Sequence, residues 1–339
     1  PQNSEYYCYT AEHIDSYFLK YIVDCASQFL EYKPEAVVIT VPAFFQVSQI
    51  DATKQAAKMA GLNVVAVLFE PSAAAIASSI PITVDVRHGL VYDLGGGTFD
   101  VAIVETSGSN YDIIANSGHP FLGGSDFDGL IFNLVREKLN NLGYNIDTWD
   151  KKKLGFLQKQ AEDMKIELST NDFSVIDLNT FGLESEITIT RNEFETVLQP
   201  WLDVTINICK NTLNSAGVKL NRNDFILLVG GSSHIPLVRK LLQQAFPDIP
   251  VLNNVNPSEV VANGAAMHCL SLYCQSRNIT NPISCPVVHS IVVRAVWVQF
   301  NNSEPILILP VGTLCMTRVE MNYSAKFNGV DVKFYIESD

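Results

Sequence analysis

The sequence predicts a mixed α/β protein whose last segment turns all-β, and three observations carry that prediction. Strand-like runs alternate with helix-period segments from residue 10 to 274, some joined by a hairpin and others by a helical crossover, the pattern of a mixed sheet. Residues 89–105, GLVYDLGGGTFDVAIVE, run as two strands around three consecutive glycines. Beyond residue 280 the helical periodicity stops, and Val/Ile-rich segments separated by Asn and Gly turns take over.

Taken in order, Thr10 is the N-cap of a first helix that carries Ile14, Phe18, Tyr21, Ile22, Cys25 and Phe29 on one face. A strand at 36–41 and Pro42 precede a helix over about 48–60, then a strand at 63–69 and a short helix opening on Glu70-Pro71-Ser72. The glycine hairpin follows, with a strand at 111–116. Helices are predicted near 124–142, 151–169 and 191–215, with a strand pair near 173–190 among them. The apolar run Phe225–Val229 is a buried strand; Gly230-Gly231-Ser232-Ser233 turns the chain into a helix over about 235–246, and a last helix runs from Pro257 to about 273. The composition change sets a domain boundary near 275–285, with residues 1–275 as one domain and 285–339 as the start of a β-rich one. Both ends are expected to be cut from a longer chain, since the first residue is Pro1 and the last strand-like segment stops at Asp339.

Composition narrows the function classes. With 339 residues, 47% hydrophobic and 17% charged, the chain has the makings of a folded globule. A net charge of −13 supplies no basic field for a polyanion, so nucleic-acid binding is not expected, and partners are proteins or small ligands. Seven cysteines, none spaced Cys-x-x-Cys, suit buried thiols in a reducing cytoplasm. No apolar run has the length of a membrane span; Ile291–Val298 is interrupted by Arg294.

Three segments carry chemistry. Gly95, Gly96 and Gly97 expose backbone amides without side-chain obstruction and tolerate φ > 0, as a loop around phosphate oxygens requires. Asp93 and Asp100 flank that loop with Thr98 between them, a donor pair suited to Mg²⁺ held largely through its waters. Three glycines alone also mark an ordinary hairpin; the ordered set Asp-Leu-Gly-Gly-Gly-Thr-Phe-Asp is what points to phosphate. The second segment, FILLVGGSSHIPLVRKLL at 225–242, places Gly230, Gly231, Ser232 and His234 between a buried strand and a helix, either as a backbone cradle or as plain packing. The third, QAEDMKIELS at 160–169, puts Glu162, Lys165, Ile166 and Ser169 on one helical face, where a solvated surface is the alternative.

In series, VVITVPAFFQVSQIDATKQAAKMAGLNVVAVLFEPSAAAIA, YDLGGGTFDVAIVE, FLGGSDFDGLIFN, AEDMKIELS, LLVGGSSHIPLVRKLL and NPSEVVANGAA resemble the seventy-kilodalton heat-shock chaperone family, in order and spacing from about residue 10 to 274. The resemblance implies an actin-like ATPase fold, with ribonuclease H-like lobes and a helical subdomain, followed by a β-sandwich that grips extended peptides. It implies ATP or ADP with Mg²⁺, and K⁺ beside it, as cofactors. Gly95, Gly96, Gly97 and Thr98 would then meet the phosphates, Asp93 and Asp100 the metal and attacking water, and Glu70 that same water. Glu162, Lys165 and Ser169 would meet the ribose and base, with Gly230, Gly231, Ser232 and His234 on the opposite side. Pro42 matches a proline that relays nucleotide state.

The departures are as specific. Nothing here matches the roughly hundred residues with which the family begins, which hold its first phosphate hairpin and a lysine. Ile166 and His234 stand where two arginines usually sandwich the adenine, Ile50 stands at the relay arginine, and Ser258 at the usual acidic residue after Asn-Pro. An ATPase body with a drifted C-terminal module is most similar to the heat-shock homologues of plant closteroviruses. That likeness implies virion assembly and cell-to-cell movement, viral coat proteins as partners, and a place in the host cytoplasm, the virion and the plasmodesmata. A conventional cytosolic folding chaperone, binding unfolded peptide segments and co-chaperones, is the alternative, and a sugar kinase of the same superfamily a distant third.

Overall fold

The structure, a computed structural model, describes residues 8–78, 86–107, 110–252, 255–281, 287–290, 296–300, 306–309 and 332–336, with backbone alone at residue 110 and beyond residue 281. In chain order the elements are α1 (Ala11–Leu30), β1 (Val37–Val41), α2 (Val47–Met59), β2 (Val64–Phe69), α3 (Glu70–Ala77), β3 (Arg87–Leu94), β4 (Phe99–Ser107), β5 (Asn110–His119), α4 (Gly124–Asn141), α5 (Lys151–Leu168), β6 (Phe173–Asp177), β7 (Glu186–Thr190), α6 (Arg191–Ser215), β8 (Phe225–Val229), α7 (Pro236–Ala245), α8 (Val260–Arg277), β9 (Val287–Ser290), β10 (Val296–Phe300), β11 (Ile306–Leu309) and β12 (Val332–Ile336). They fall into two compact units, one from residues 1–80 and 254–286, the other from 81–253 and 287–339.

The second unit is built on a five-stranded sheet in the order β8-β3-β4-β5-β9. β3 pairs in parallel with β8 and antiparallel with β4, as expected of a hairpin laid beside a buried crossover strand. The unbroken apolar run of β8 is explained by its place: every residue from Phe225 to Val229 is buried. β5 continues to His119, longer than the predicted strand, and pairs in parallel with β9, so the start of the first Val/Ile-rich segment past residue 280, Val287–Ser290, forms the fifth strand. β10, β11 and β12 make a separate antiparallel sheet in the order β11-β10-β12.

Helix α4 lays Phe127, Ile131, Val135 and Leu139, four residues apart, into the core of this unit. Leu157, Ala161, Met164 and Leu168 of α5 and Phe194, Leu198 and Leu202 of α6 belong to the same cluster. α6 opens with a capping box: the Thr190 amide donates to Glu193 Oε2 at 2.8 Å, and the Glu193 amide donates to Thr190 Oγ1 at 3.2 Å. Lys138 of α4 reaches the same carboxylate at 2.6 Å, and this ammonium, with the Thr190 amide, holds Glu193 down to about 2.

In the first unit β1 and β2 pair in parallel, and α3 packs on α8 at backbone contact. The small residues Ala73, Ala74 and Ala75 are wholly buried, and a Cβ at Gly264 would lie 1.8 Å from the Ala73 carbonyl oxygen. That closeness explains both the alanine run and the glycine. α8 begins three residues later than its periodicity suggests, because Asn256 closes a turn first: its side-chain oxygen accepts from the Ser258 amide at 3.1 Å and its carbonyl from the Glu259 and Val260 amides at 3.0 Å each.

α1 starts directly after Thr10, as expected, with Thr10 Oγ1 2.9 Å from His13 Nδ1 and no side-chain cap hydrogen bond to the helix, but it packs on α2 through a different stripe. Ser16 is buried and Leu19, Val23, Ala26 and Ser27 are half-buried, whereas Phe18 is 64% and Phe29 88% exposed. The helix carries two stripes at helical spacing, and the tight α1–α2 contact takes the smaller side chains. Among the described residues no helix is long and apolar enough to cross a membrane.

Candidate functional site

Asp93 and Asp100 are cross-strand partners in the β3–β4 ladder, both buried, with residues 95–98 between the strands. The turn is closed by the Gly95 amide donating to the Thr98 carbonyl at 3.0 Å. None of Gly95, Gly96 and Gly97 has positive φ, so the left-handed backbone that glycine permits is not used here. What their missing side chains give is space: a Cβ at Gly96 or Gly97 would meet nothing within 4 Å. Among the described residues the amides of Gly96, Gly97 and Thr98 donate to no acceptor.

The back of the turn is held by two other segments of the same unit. The first residues of α4 clamp its carbonyls: the Gly124 amide donates to Gly95 O at 3.0 Å and the Ser125 amide to Gly96 O at 2.7 Å. A Cβ at Gly123 would sit 2.6 Å from the Gly97 nitrogen, so this approach requires glycine. Asp126 fixes the start of α4 by accepting from the Gly123 amide at 2.9 Å. From the other side Ser232, in a short 3-10 helix over Gly231–His234, donates its hydroxyl to Gly95 O at 2.8 Å.

Gly230 makes the turn out of β8 at φ +83°, and a Cβ there would lie 2.3 Å from Leu94 O and 2.8 Å from Asp93 Oδ1. Its glycine is therefore needed twice, for the left-handed backbone and for room beside the carboxylate. Lys165 comes from α5; its ammonium donates to Gly124 O at 3.1 Å and pairs with Asp128 at 2.7 Å. Burial pushes the Asp128 carboxyl above its usual range, and Lys165 opposes that shift.

The structure thus brings together Asp93, Gly95, Gly96, Gly97, Thr98, Asp100, Lys165, Gly230 and Ser232. Glu162 and Ser169 share the α5 face with Lys165 but are engaged on their own helix: Glu162 pairs with Lys159 at 3.0 Å, and Ser169 Oγ donates to the Lys165 carbonyl at 3.3 Å. Gly231 and His234 are exposed, as is Ile166. Glu70 belongs to the first unit, at the start of α3, where burial alone raises its carboxyl. Sequence reasoning missed Gly123, Gly124 and Asp128; the Gly-Gly pair directly before the α4 periodicity was the available signal. Among the described residues no group of three His, Cys, Asp or Glu side chains is placed to hold a metal by itself.

The arrangement can receive an anion. Three amides of the turn donate to no acceptor among the described residues, the Gly95 and Gly96 carbonyls are tied back, and two carboxylates stand at the strand ends where a hydrated cation would bridge to that anion.

Comparison with known proteins agrees. The family described as Hsp70 protein matches residues 2–293. The chain is 37% identical over 273 residues to the chaperone protein HscA homolog of Acinetobacter baumannii, covering 79% of this chain and 42% of that protein. It is 37% identical over 266 residues to the chaperone protein DnaK of Mycoplasma mobile, covering 76% and 44%, and 38% identical over 268 residues to the mitochondrial heat shock 70 kDa protein of Solanum tuberosum, covering 76% and 38%. The chain thus spans less than half the length of these relatives. With the ordered motifs, the mixed sheet and a family match over most of its residues, the chain belongs to the Hsp70 family and has that family's actin-like α/β fold.

Proposed function

We propose that this chain is the nucleotide-binding part of an ATP-dependent protein-folding chaperone. The observation that carries the reading is the turn at residues 95–98, with three amides that donate to no acceptor among the described residues, room for a side chain at Gly96 and Gly97, and Asp93 and Asp100 directly opposite each other at its base. Gly95, Gly96, Gly97 and Thr98 hold the β- and γ-phosphates of ATP or ADP. Asp93 and Asp100 would hold Mg²⁺ through its waters, since a small hard cation keeps most of its hydration and takes few direct carboxylates. Mg²⁺ held there, with K⁺ beside it, would supply positive charge to neutralise phosphate. Lys165, Glu162 and Ser169 serve the ribose and base from α5, with Gly230, Gly231, Ser232 and His234 opposite, and Glu70, its carboxyl raised by burial, is the residue that the resemblance assigns to the attacking water. Partners on this reading are unfolded peptide segments and co-chaperones, in the cytoplasm.

A finer reading, a closteroviral protein of virion assembly and movement that docks on coat proteins, is favoured by Ile50, Ile166 and His234, which stand where the resemblance implies the arginines of the relay and the base stack. The named relatives are cellular chaperones, so the conventional reading leads.

Calorimetry with Mg·ADP on this chain tests the proposal. Binding that Gly97→Asp abolishes is the expected result, because the added carboxylate occupies the open space and repels phosphate. No binding, or binding that survives Gly97→Asp, overturns it.

A further inference from the structure

The end of α6 meets the end of α7 at a cavity of about 400 Å³ in the second unit, the size of a small-ligand site, and none of its lining belongs to the glycine turn or to the residues around it. Two helix ends build it. α6 stops at Ser215, and Gly217 turns the chain at φ +65°: its amide donates to Asn214 O and the Val218 amide to Leu213 O, each at 3.0 Å. α7 stops at Ala245, where the Phe246 amide donates to Leu242 O at 2.8 Å and the Ile249 amide to Phe246 O at 3.2 Å. Both walls are closed by their own backbone, and the floor is apolar, with Leu213 and Ile249 buried and Val218, Leu220 and Phe246 half-buried. A site made this way is preformed.

The rim is cationic in a chain whose net charge is −13. Lys210 and Lys219 line the cavity from the exposed surface, and among the described residues neither ammonium has an ion pair or a hydrogen bond. Asp248, the carboxylate in that lining, faces Arg222 at 3.7 Å. The ordinary task of such lysines is to oppose a helix dipole, but neither stands in the last turn of α6 or α7, and the Leu213 and Asn214 carbonyls are already taken by the closing amides. We infer that the cavity binds a small aromatic carboxylate. The ring enters the apolar floor beside Phe246, where an aromatic pair adds to area burial, and the carboxylate stays at the mouth with Lys210 and Lys219, each a charge-assisted donor.

Titration of this chain with naphthoate, followed by the methyl resonances of isotope-labelled protein, tests the site. Shifts at the Leu213, Val218, Leu220 and Ile249 methyls are expected, with none at Ile131 and Leu139 of the α4 core. Naphthylmethanol, which keeps the rings and lacks the charge, should bind more weakly by about tenfold. Lys210→Gln with Lys219→Gln, two exposed changes that leave the floor intact, should weaken naphthoate by the same factor, about threefold for each exposed ion pair, and leave naphthylmethanol unchanged. Raising the salt concentration should weaken naphthoate alone. Silent methyls at the cavity overturn the inference, as do shifts confined to Ile14 and Ile22 of the exposed α1 stripe. Equal binding of the acid and the alcohol overturns it too, because the two lysines would then contribute nothing. None of these measurements depends on whether the chain binds nucleotide.

Discussion

Helices α1 and α4 carry the same kind of apolar spacing and meet opposite fates. In α4, Phe127, Ile131, Val135 and Leu139 are buried completely; in α1, Ile14, Phe18, Tyr21, Ile22 and Phe29 are all exposed. The difference is in what each helix lies against. α4 is backed by α5 and α6 and begins at the glycine turn, so its large side chains enter a core shared with the sheet. Among the described residues α1 packs chiefly on α2, with Ser16 buried and Leu19, Val23, Ala26 and Ser27 half-buried. Amphipathic spacing shows which face a helix can bury; only the tertiary arrangement decides which one it does bury.

The largest effect expected from that contrast is at Phe127. Phe127→Ala removes a wholly buried ring from the second unit and should cost about 3–5 kcal/mol, read by denaturant unfolding. A loss under about 1 kcal/mol would mean that the α4 core relaxes far more than a close-packed interior does.

Next come the glycines, which sort by what surrounds them. Gly264→Ala drives a Cβ into the Ala73 carbonyl and should destabilise the α3–α8 pair by about 3 kcal/mol, seen as faster hydrogen exchange confined to the first unit. Gly96→Ala meets nothing and has no positive φ to lose, so stability should stay within about 0.5 kcal/mol while affinity for inorganic triphosphate falls. If Gly96→Ala destabilised as much as Gly264→Ala, the open space above the turn would have to be filled by protein in solution.

Much of this was legible beforehand. The turn, its flanking aspartates and the buried run of β8 follow from local spacing, because hairpin register and strand burial are set within a few residues of the chain. Gly123, Gly124 and the Ser232 contact did not follow, since they matter through segments far apart in sequence that meet only in the fold. The same holds for α1: its two stripes are both visible in the sequence, and the choice between them depends on its packing against another helix, α2. The late start of α8 was hidden by Asn256, whose turn takes residues that helical periodicity alone assigns to the helix.

A smaller effect tests the cap that ties α4 to α6. Glu193 is held at about 2 by Lys138 and the Thr190 amide, below its ordinary 4.5. A lowered carboxyl contributes stability that is full above the ordinary value and disappears as pH falls through the folded one, so the contribution should fade between about 4.5 and 2. Because the side chain is partly exposed, solvent screening limits it to about 1 kcal/mol. Glu193→Gln should flatten the acid side of the stability profile by that amount. An unchanged profile would show that the Lys138 pair is screened out in solution.

The smallest effect expected is on the exposed face of α1, and it decides whether the contrast between the two helices is real. Phe18→Ser and Phe29→Ser together remove two rings that already lie mostly in water, so little apolar area returns to solvent on unfolding; the pair should change stability by less than about 1 kcal/mol, against the several expected at Phe127. Their rings do contribute to a row of exposed aromatics that includes Tyr17, Tyr21 and Tyr32, and such a row favours association. Sedimentation of the double variant beside the parent therefore accompanies the unfolding measurement. A near-zero change in stability, with reduced self-association, is the outcome that an exposed stripe demands. A loss comparable to Phe127→Ala would mean that the stripe is covered in solution, and that α1, like α4, buries the face its spacing defines.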